Sequence, residues 1–252
     1  MSLTDKIVVV TGGSRGLGLG LVEALTDQGA KVTVVARQSH ALDAVGARLG
    51  VATIAADIRD ETAAARILGE VRPDVLVLNA GASPPMGRFD QMSWADFNAT
   101  WAHDVKAGLH WLQGALNLPL KPGSRVVVVS SGAAINGSPM SGGYGGAKRM
   151  LWLMAGYANR VSEQKALGIR FQTVIPRQMI LGTGVGDAGA GAYAEALDIT
   201  PEAFVARFGA PMPPRVFGEH VAAVLDDPAH AEGFAFGLSG DEGIKMIEGL
   251  AT

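Results

Sequence analysis

The sequence contains no cysteine, few aromatic residues and no long apolar run. Without cysteine, the chain can form no disulfide bond, thiolate nucleophile or thiolate metal site. Its five histidines lack the spacing of a helical metal-binding pair, so we expect no metal site. The apolar runs are shorter than a membrane span, and the N-terminus lacks the apolar core of a secretory signal. We therefore expect a cytoplasmic protein with no membrane segment.

The sequence also lacks a large excess of charge of either sign. Its 21 basic and 24 acidic residues give a net charge of -3, and it contains no basic run. A nucleic-acid-binding surface is therefore not expected. Hydrophobic residues make up 48% of the 252 residues and charged residues 18%, which excludes a disordered chain. This length suits one large core, and we expect a single domain over residues 1–252.

Short apolar segments rich in β-branched residues alternate with segments of helical spacing. Strands are predicted over residues 7–10, 31–36, 51–55, 75–78, 125–129 and 169–175. Helices are predicted over residues 17–28, 41–49, 61–71, 94–116 and 144–167. Strands that are apolar throughout are typical of parallel sheets covered on both faces. The pattern predicts an α/β fold: a Rossmann-type, doubly wound parallel sheet of about seven strands with helices on both faces.

A glycine-rich turn lies directly after the first predicted strand and directly before the first helix. Glycines let the backbone approach a pyrophosphate, and the free N–H groups of a helix N-terminus attract its charge. Tight packing of strand against helix is the alternative explanation of the glycines. The residues of the turn expected to bind a nucleotide are Gly12, Ser14, Arg15, Gly16, Leu17 and Gly18.

Tyr144 and Lys148 are one helical turn apart, and Tyr144 follows Ser131 by thirteen residues. A free phenol titrates near pH 10, and a nearby cation favours its ionised form. Such a pair can transfer a proton near neutral pH. Each residue also has a simpler interpretation, since Ser131 could cap a turn, Tyr144 could pack in the core and Lys148 could be solvated.

These motifs together resemble the short-chain dehydrogenase/reductase family. They are the glycine turn, the sequence Asn79-Ala80-Gly81 after the fourth strand, Ser131, and Tyr144 with Lys148. They occur in the family's order and spacing and extend to about residue 176. The resemblance implies hydride transfer between a nicotinamide cofactor and a small-molecule carbonyl or alcohol, in a homodimer or homotetramer.

The resemblance also implies roles for individual residues. Tyr144 would be the general acid or base, Lys148 would support it and reach the nicotinamide ribose, and Ser131 would hydrogen-bond the substrate oxygen. Cofactor contacts would include Asn79, Ala80, Gly81, Tyr144, Lys148, Pro176 and Thr183.

The end of the second strand bears on the choice of cofactor. Enzymes that prefer NAD carry an acidic residue there, whereas this strand ends Val35-Ala36-Arg37. Arg37, with Arg15 on the same side, suits the 2′-phosphate of NADP, and a solvated surface arginine is the alternative. Asp57 resembles the family's adenine-contacting aspartate, and Ile58 follows it. Asp57 could instead cap the next helix, although Asp60 is better placed to do so.

Two positions depart from the family's pattern. Asp104 stands where many members have an asparagine linked to the lysine, and its charge would favour a protonated Lys148. We expect activity with an altered pH profile. Arg177 follows Pro176 in place of a glycine, and Thr183 comes later than usual. Arg177 could recognise an acidic group of the substrate.

Residues 177–214 interrupt the alternation of strands and helices and are rich in glycine and proline. They follow the sixth strand, whose carboxyl end should face the site, so we expect a substrate lid. Phe204, Phe208 and Phe217 could form its apolar underside or belong to the core. A surface insertion is the alternative to a lid, and an NADP-binding regulator with little turnover is the alternative to an enzyme.

Overall fold

The computed structural model describes residues 2–247, which form a sheet of eight strands. The strands are β1 (Ile7–Thr11), β2 (Lys31–Ala36), β3 (Ala52–Ala55), β4 (Val75–Leu78), β5 (Arg125–Val129), β6 (Arg170–Pro176), β7 (Ala235–Ser239) and β8 (Gly243–Met246). Their order is β3-β2-β1-β4-β5-β6-β7-β8, and every neighbouring pair is parallel except β7 and β8. The predicted doubly wound α/β fold is confirmed, with one strand more than the seven or so predicted.

Helices connect the strands on both faces of the sheet. They are α1 (Gly16–Asp27), α2 (His40–Leu49), α3 (Glu61–Val71), α4 (Trp94–Thr100), α5 (Lys106–Asn117), α6 (Ala133–Asn136), α7 (Tyr144–Gln164), α8 (Gly184–Ala196), α9 (Pro201–Val205) and α10 (Pro214–Asp226). A π-helical turn over Trp101–Val105 joins α4 to α5. The helix predicted over residues 94–116 is therefore wider at one turn, and such turns are frequent at functional sites.

Alternating side chains of the strands enter two separate apolar cores. In β1, Val8 and Val10 belong to one core and Val9 to the other. Helices α1, α2 and α10 cover the first face, and α3, α5 and α7 cover the second. Because successive side chains of a strand point to opposite faces, an uninterrupted apolar strand fits this position between two helical layers.

Glycines set the close contact between α1 and α10. A Cβ at Gly20 would lie 2.2 Å from the carbonyl oxygen of Pro214, and one at Gly218 would lie 2.3 Å from the carbonyl oxygen of Gly20. No larger side chain fits between these backbones without displacing them. The contact holds α1 against the sheet, with its N-terminus at the carboxyl end of β1.

The chain leaves β1 and β4 in opposite directions along the sheet, because β2 and β3 lie on one side of β1 and β5 to β7 lie beyond β4. This reversal opens a crevice at the carboxyl ends of the two strands, where ligands bind in folds of this kind. The glycine turn follows β1 and Asn79 follows β4, so both border the crevice.

Residues 177–214 contain α8, α9 and a short 3₁₀ turn at Ala206–Phe208. Ala190, Ala194, Phe204 and Val205 form a small apolar core within this segment. Phe217, by contrast, lies fully buried in the main core beneath α10. Among residues 2–247, no helix has the length and apolar character needed to cross a bilayer.

Candidate active site

The glycine turn after β1 has a backbone that only glycine accommodates. Gly12 and Gly16 have φ values of +71° and +53°. A Cβ at Gly18 would lie 2.1 Å from the carbonyl oxygen of Gly12, and one at Gly12 would lie 2.7 Å from Cα of Ala80. Arg15 occupies the N-cap position of α1 without a capping hydrogen bond from its side chain. The helix N-terminus therefore faces the crevice without a capping side chain, as a phosphate site requires.

Thr11 and Asn79 brace this turn against β4. The Thr11 hydroxyl accepts hydrogen bonds from the backbone N–H groups of Asn79 (3.1 Å) and Ala80 (3.2 Å). The Asn79 amide donates back to the carbonyl oxygens of Thr11 (3.2 Å) and Gly12 (3.3 Å). This role of Thr11 is not predictable from the sequence, because its partners lie almost seventy residues away along the chain.

Arg15 and Arg37 lie at the carboxyl ends of β1 and β2, and both line the crevice. Both are exposed, and neither makes an ion pair within residues 2–247. Two guanidinium groups are therefore available to one ligand.

Asp57, two residues after β3, is half-buried and paired with Arg59. The Arg59 guanidinium donates to both carboxylate oxygens, with Nη2 at 2.6 Å and Nε at 3.0 Å. These hydrogen bonds hold the pKa of the Asp57 carboxyl well below its usual range. Ile58 is buried beside it. Asp60, rather than Asp57, caps α3 by accepting a hydrogen bond from the N–H of Thr62.

The π-helical turn carries Asp104 into contact with Lys148. The Asp104 side chain is 0% exposed, and its Oδ2 lies 3.1 Å from Nζ of Lys148. Its other oxygen, Oδ1, accepts a hydrogen bond from the N–H of Ala82 (2.8 Å) and lies 3.0 Å from Nδ1 of His103. A Cβ at Gly81 would lie 2.7 Å from Asp104 Oδ2, so glycine is needed beside the ion pair.

The two members of this pair shift each other's titration. Burial by itself raises the pKa of Asp104, but the Lys148 ammonium and the hydrogen bonds from His103 and Ala82 outweigh it and lower that pKa. Burial by itself lowers the pKa of Lys148, but the Asp104 carboxylate outweighs it and raises that pKa. Lys148 is therefore held as a cation.

Tyr144, Lys148 and Ser131 meet at the same end of the crevice. Tyr144 begins α7 and is 7% exposed, and Nζ of Lys148 lies 5.7 Å from the centre of its ring. The Ser131 hydroxyl accepts a hydrogen bond from the N–H of Ala133 (3.2 Å), so its own proton remains available to donate. A phenol, a cation and a hydroxyl donor are thus grouped where a polar oxygen could be protonated.

Pro176 ends β6, and Thr183 follows it along one wall of the crevice. The Thr183 hydroxyl caps α8, accepting from the N–H of Gly186 (2.9 Å) and donating to the carbonyl of Ile180 (2.8 Å). Arg177 is paired with Glu242 at 3.2 Å. The Thr183 hydroxyl and the Arg177 guanidinium therefore already have partners within the chain.

A single cavity of about 820 Å³ connects these groups. Every site residue predicted from the sequence lines it except Asp104, which lies behind Lys148. The cavity runs from the glycine turn and the ends of β2 and β3, past Ser131 and Tyr144, to α8 and α9. The residues that line one end of the cavity suit an extended nucleotide, and those that line the other end suit a smaller molecule.

Residues 6–184 match the family model described as short chain dehydrogenase. The chain belongs to the short-chain dehydrogenase family. Members of this family are oxidoreductases that work with a nicotinamide cofactor and small-molecule substrates. The glycine turn and the Tyr144–Lys148 pair both fall within the matched region.

Among curated relatives, the short chain dehydrogenase/reductase AacuD of Aspergillus aculeatus is 33% identical over 154 residues, covering 58% of this chain and 54% of AacuD. Levodione reductase of Leifsonia aquatica is 28% identical over 188 residues, covering 69% of each protein. The chain thus matches about half the length of AacuD. A solved structure from Brucella melitensis, described as a glucose/ribitol dehydrogenase of the same family, has a TM-score of 0.77 at 23% identity, covering 95% of this chain and 97% of that one. That structure supports the fold.

Proposed function

We propose that this chain is an NADP(H)-dependent carbonyl reductase or alcohol dehydrogenase in which Tyr144 is the general acid or base. The observation that carries the proposal is the position of Tyr144 beside the buried Lys148–Asp104 ion pair, in the cavity that the glycine turn also lines. A phenol next to a cation held in place by burial suits proton transfer, and the glycine turn suits a nucleotide.

The residues around the cavity fit a nicotinamide dinucleotide. Gly12 packs closely against Ala80, and Gly18 against Gly12, without any side chain between them. The N-terminus of α1 is therefore free of side chains that would block a pyrophosphate. We propose that the cofactor is held by the turn residues 12 and 14–18, by Arg37, Asp57 and Ile58, by residues 79–81, and by Tyr144, Lys148, Pro176 and Thr183. When bound, the nicotinamide would supply or accept a hydride at the substrate carbon.

In this proposal the chain itself handles the proton and the developing charge. Ser131 donates its free O–H to the substrate oxygen and stabilises negative charge on it. Tyr144 donates its proton to that oxygen during reduction and accepts one during oxidation. Lys148 stabilises the phenolate that remains, and Asp104 holds Lys148 charged and in position.

The preference for NADP rests on Arg15 and Arg37, which line the cavity and have no ion-pair partner within residues 2–247. Arg37 follows β2, where a cofactor's 2′-oxygen is bound in this type of fold, and no carboxylate occupies Ala36. The planar guanidinium donates two parallel hydrogen bonds to a phosphate. A 2′-phosphate would give Arg15 and Arg37 the anionic partner that they lack within residues 2–247.

We also propose that residues 1–252 act as one cytoplasmic domain in which residues 177–214 are the substrate lid. Helices α8 and α9 line the same cavity as Ser131 and Tyr144, which supports this role. Trp101 in the π-helical turn, 43% exposed, and Tyr157 on α7, 50% exposed, are consistent with a homodimer or homotetramer.

The test is nicotinamide absorbance followed with a panel of ketones and alcohols, in parallel with NADPH binding. Turnover with NADPH exceeding that with NADH is the expected result. Tight NADPH binding without turnover of any compound would instead favour the regulator that keeps the cofactor pocket but not the reaction.

A further inference from the structure

The part of the cavity beyond Tyr144 has a character of its own. We call it the outer chamber and define it by the lining residues that the nucleotide does not need, chiefly Met86, Ser138, Met179, Tyr193, Phe204 and Phe208. Ser138 lies on the loop between α6 and α7, whereas Tyr193 and Phe204 belong to α8 and α9. The chamber is thus enclosed by the loop that leads to Tyr144 on one side and the segment 177–214 on the other.

The outer chamber offers no free charge. The charged residues at the ends of β1, β2 and β3 belong to the nucleotide end of the cavity. Of the other charged residues among those that line it, Lys148 is paired with Asp104 and Arg177 with Glu242. His103 lies against the same Asp104 carboxylate. An ionised group entering the chamber would lose hydration without gaining an unpaired counterion, which is unfavourable.

The walls of the chamber are apolar and partly aromatic. The rings of Tyr193 and Phe204 stack with centres 5.2 Å apart and planes 5° apart, and Phe208 meets Phe204 edge to face at 5.4 Å. The thioethers of Met86 and Met179 line the same space. Flat ring faces and polarisable sulfur favour contact with planar apolar molecules.

A pair of hydroxyl groups interrupts this apolar surface. Ser138 Oγ and the Tyr193 phenolic oxygen lie 2.9 Å apart, and the N–H of Met140 lies 3.4 Å from the phenolic oxygen. The pair holds two hydroxyl protons, and only one can lie between the two oxygens. Whichever residue donates, the other keeps one O–H without a partner within residues 2–247.

We propose that the substrate is an uncharged, largely apolar and partly aromatic carbonyl compound with a second neutral oxygen, which the Ser138–Tyr193 pair binds. This proposal rests on the proposed function. The spare O–H of the pair donates to the second oxygen, while the reacting carbonyl lies at Ser131 and Tyr144. The Ser138–Tyr193 hydrogen bond already joins the loop before α7 to the segment 177–214, so a substrate bound to the pair would contact both parts of the chain.

The experiment compares β-tetralone, a β-tetralone with a ring hydroxyl and a β-tetralone with a ring carboxylate. Turnover with NADPH gives KM, and calorimetry in the presence of NADP⁺ gives Kd whether or not turnover occurs. We expect the hydroxylated ketone to bind about fivefold more tightly than the parent, as one added hydrogen bond allows. The carboxylated ketone should bind at least about tenfold more weakly than the parent.

The variants separate the hydroxyl pair from the aromatic wall. Tyr193→Phe and Ser138→Ala each remove one oxygen, but the hydroxyl that remains still carries an O–H, so each single variant should keep part of the preference for the hydroxylated ketone. The double variant Tyr193→Phe/Ser138→Ala keeps the stacked ring and removes both hydroxyls, so the Kd values of the hydroxylated and parent ketones should become equal. Tyr157→Phe replaces an exposed tyrosine outside the cavity and should keep the full preference.

Any other result overturns either the proposed substrate class or the proposed function, and the results distinguish between the two. Equal binding of the three ketones, no binding of any of them, or a preference that survives the double variant Tyr193→Phe/Ser138→Ala would overturn the assignment of the substrate class. Selective binding as expected, but without turnover of any ketone or alcohol, would uphold that class and overturn the proposed function.

Discussion

Replacing Asp104 with asparagine should destabilise the fold and change the pH dependence of the reaction. Both oxygens of the carboxylate have donors beside them. Oδ1 accepts a hydrogen bond from the N–H of Ala82, and Oδ2 lies 3.1 Å from the Lys148 ammonium. An amide has one acceptor oxygen, so its NH₂ group would face either the Ala82 N–H or the Lys148 ammonium. Either arrangement leaves a buried donor unpaired.

The size of the effect follows from burial. The side chains of Asp104 and Lys148 are 0% and 7% exposed, so little water can replace the lost carboxylate. Removing one partner of a buried ion pair lowers the free energy of unfolding by about 3–5 kcal/mol. In a chain of this length that corresponds to a fall in Tm of roughly 10 °C. Asp90→Asn, which removes an exposed carboxylate paired with Arg88, should leave Tm unchanged.

The pH dependence has a defined sign. The folded pKa of Asp104 is lowered, so its contribution to the free energy of unfolding is complete above the ordinary value of 3.8 and is lost as the pH falls through the folded value. The folded pKa of Lys148 is raised, so its contribution is complete below the ordinary value of 10.5 and is lost as the pH rises through the folded value. The Tm difference between wild type and Asp104→Asn should therefore be full at neutral pH and shrink in acid.

The Asp104→Asn substitution should also change the alkaline limb of the pH profile of kcat/KM. Without the carboxylate, burial lowers the pKa of Lys148, and the alkaline limb of kcat/KM should move to lower pH. The assays are thermal unfolding and kcat/KM over a range of pH for wild type, Asp104→Asn and Asp90→Asn. Equal Tm values and superimposed pH profiles for wild type and Asp104→Asn would refute the assignment of Asp104 as the residue that holds Lys148 charged.

Three further changes test other parts of the account. Arg37→Met should weaken NADPH binding by roughly 10–100-fold, the value of a charged hydrogen bond, with NADH binding unchanged; equal losses for both cofactors in fluorescence titrations would contradict the 2′-phosphate role. Gly18→Ala puts a Cβ 2.1 Å from a turn carbonyl and should lower Tm and abolish NADPH binding, whereas Gly69→Ala, in open space on α3, should raise the stability by roughly 0.5–1 kcal/mol. Arg125→Met should cost about 2–4 kcal/mol of unfolding free energy in urea denaturation, because the buried guanidinium donates to two carbonyls at the end of α10; an unchanged midpoint would contradict this.

The central sheet could be predicted because its strands carry their signal locally. The predicted bounds of β2, β4 and β5 coincide with the observed ones, since buried parallel strands are apolar and β-branched throughout. The eighth strand has no such signal. Gly243–Met246 is half-exposed, pairs antiparallel with β7 after a tight turn and includes a lysine, so its pairing depends on tertiary contact.

The same division applies to the site. The sequence order of the motifs predicted which residues line one cavity, because the carboxyl ends of parallel strands meet at one edge of the sheet. It did not predict the partners of those residues. The cap that occupies the Thr183 hydroxyl and the ion pair between Arg177 and Glu242 join atoms whose proximity depends on backbone geometry after β6 and β7.

The measurement that tests the central claim most directly is the single-turnover rate of Tyr144→Phe at saturating NADPH and ketone. Removing one oxygen leaves the ring beside Lys148, so NADPH binding should stay close to that of wild type. The rate should fall by about 10²–10⁴-fold, the usual contribution of a general acid. An unchanged rate with unchanged cofactor binding would contradict the assignment of Tyr144 as the group that transfers the proton.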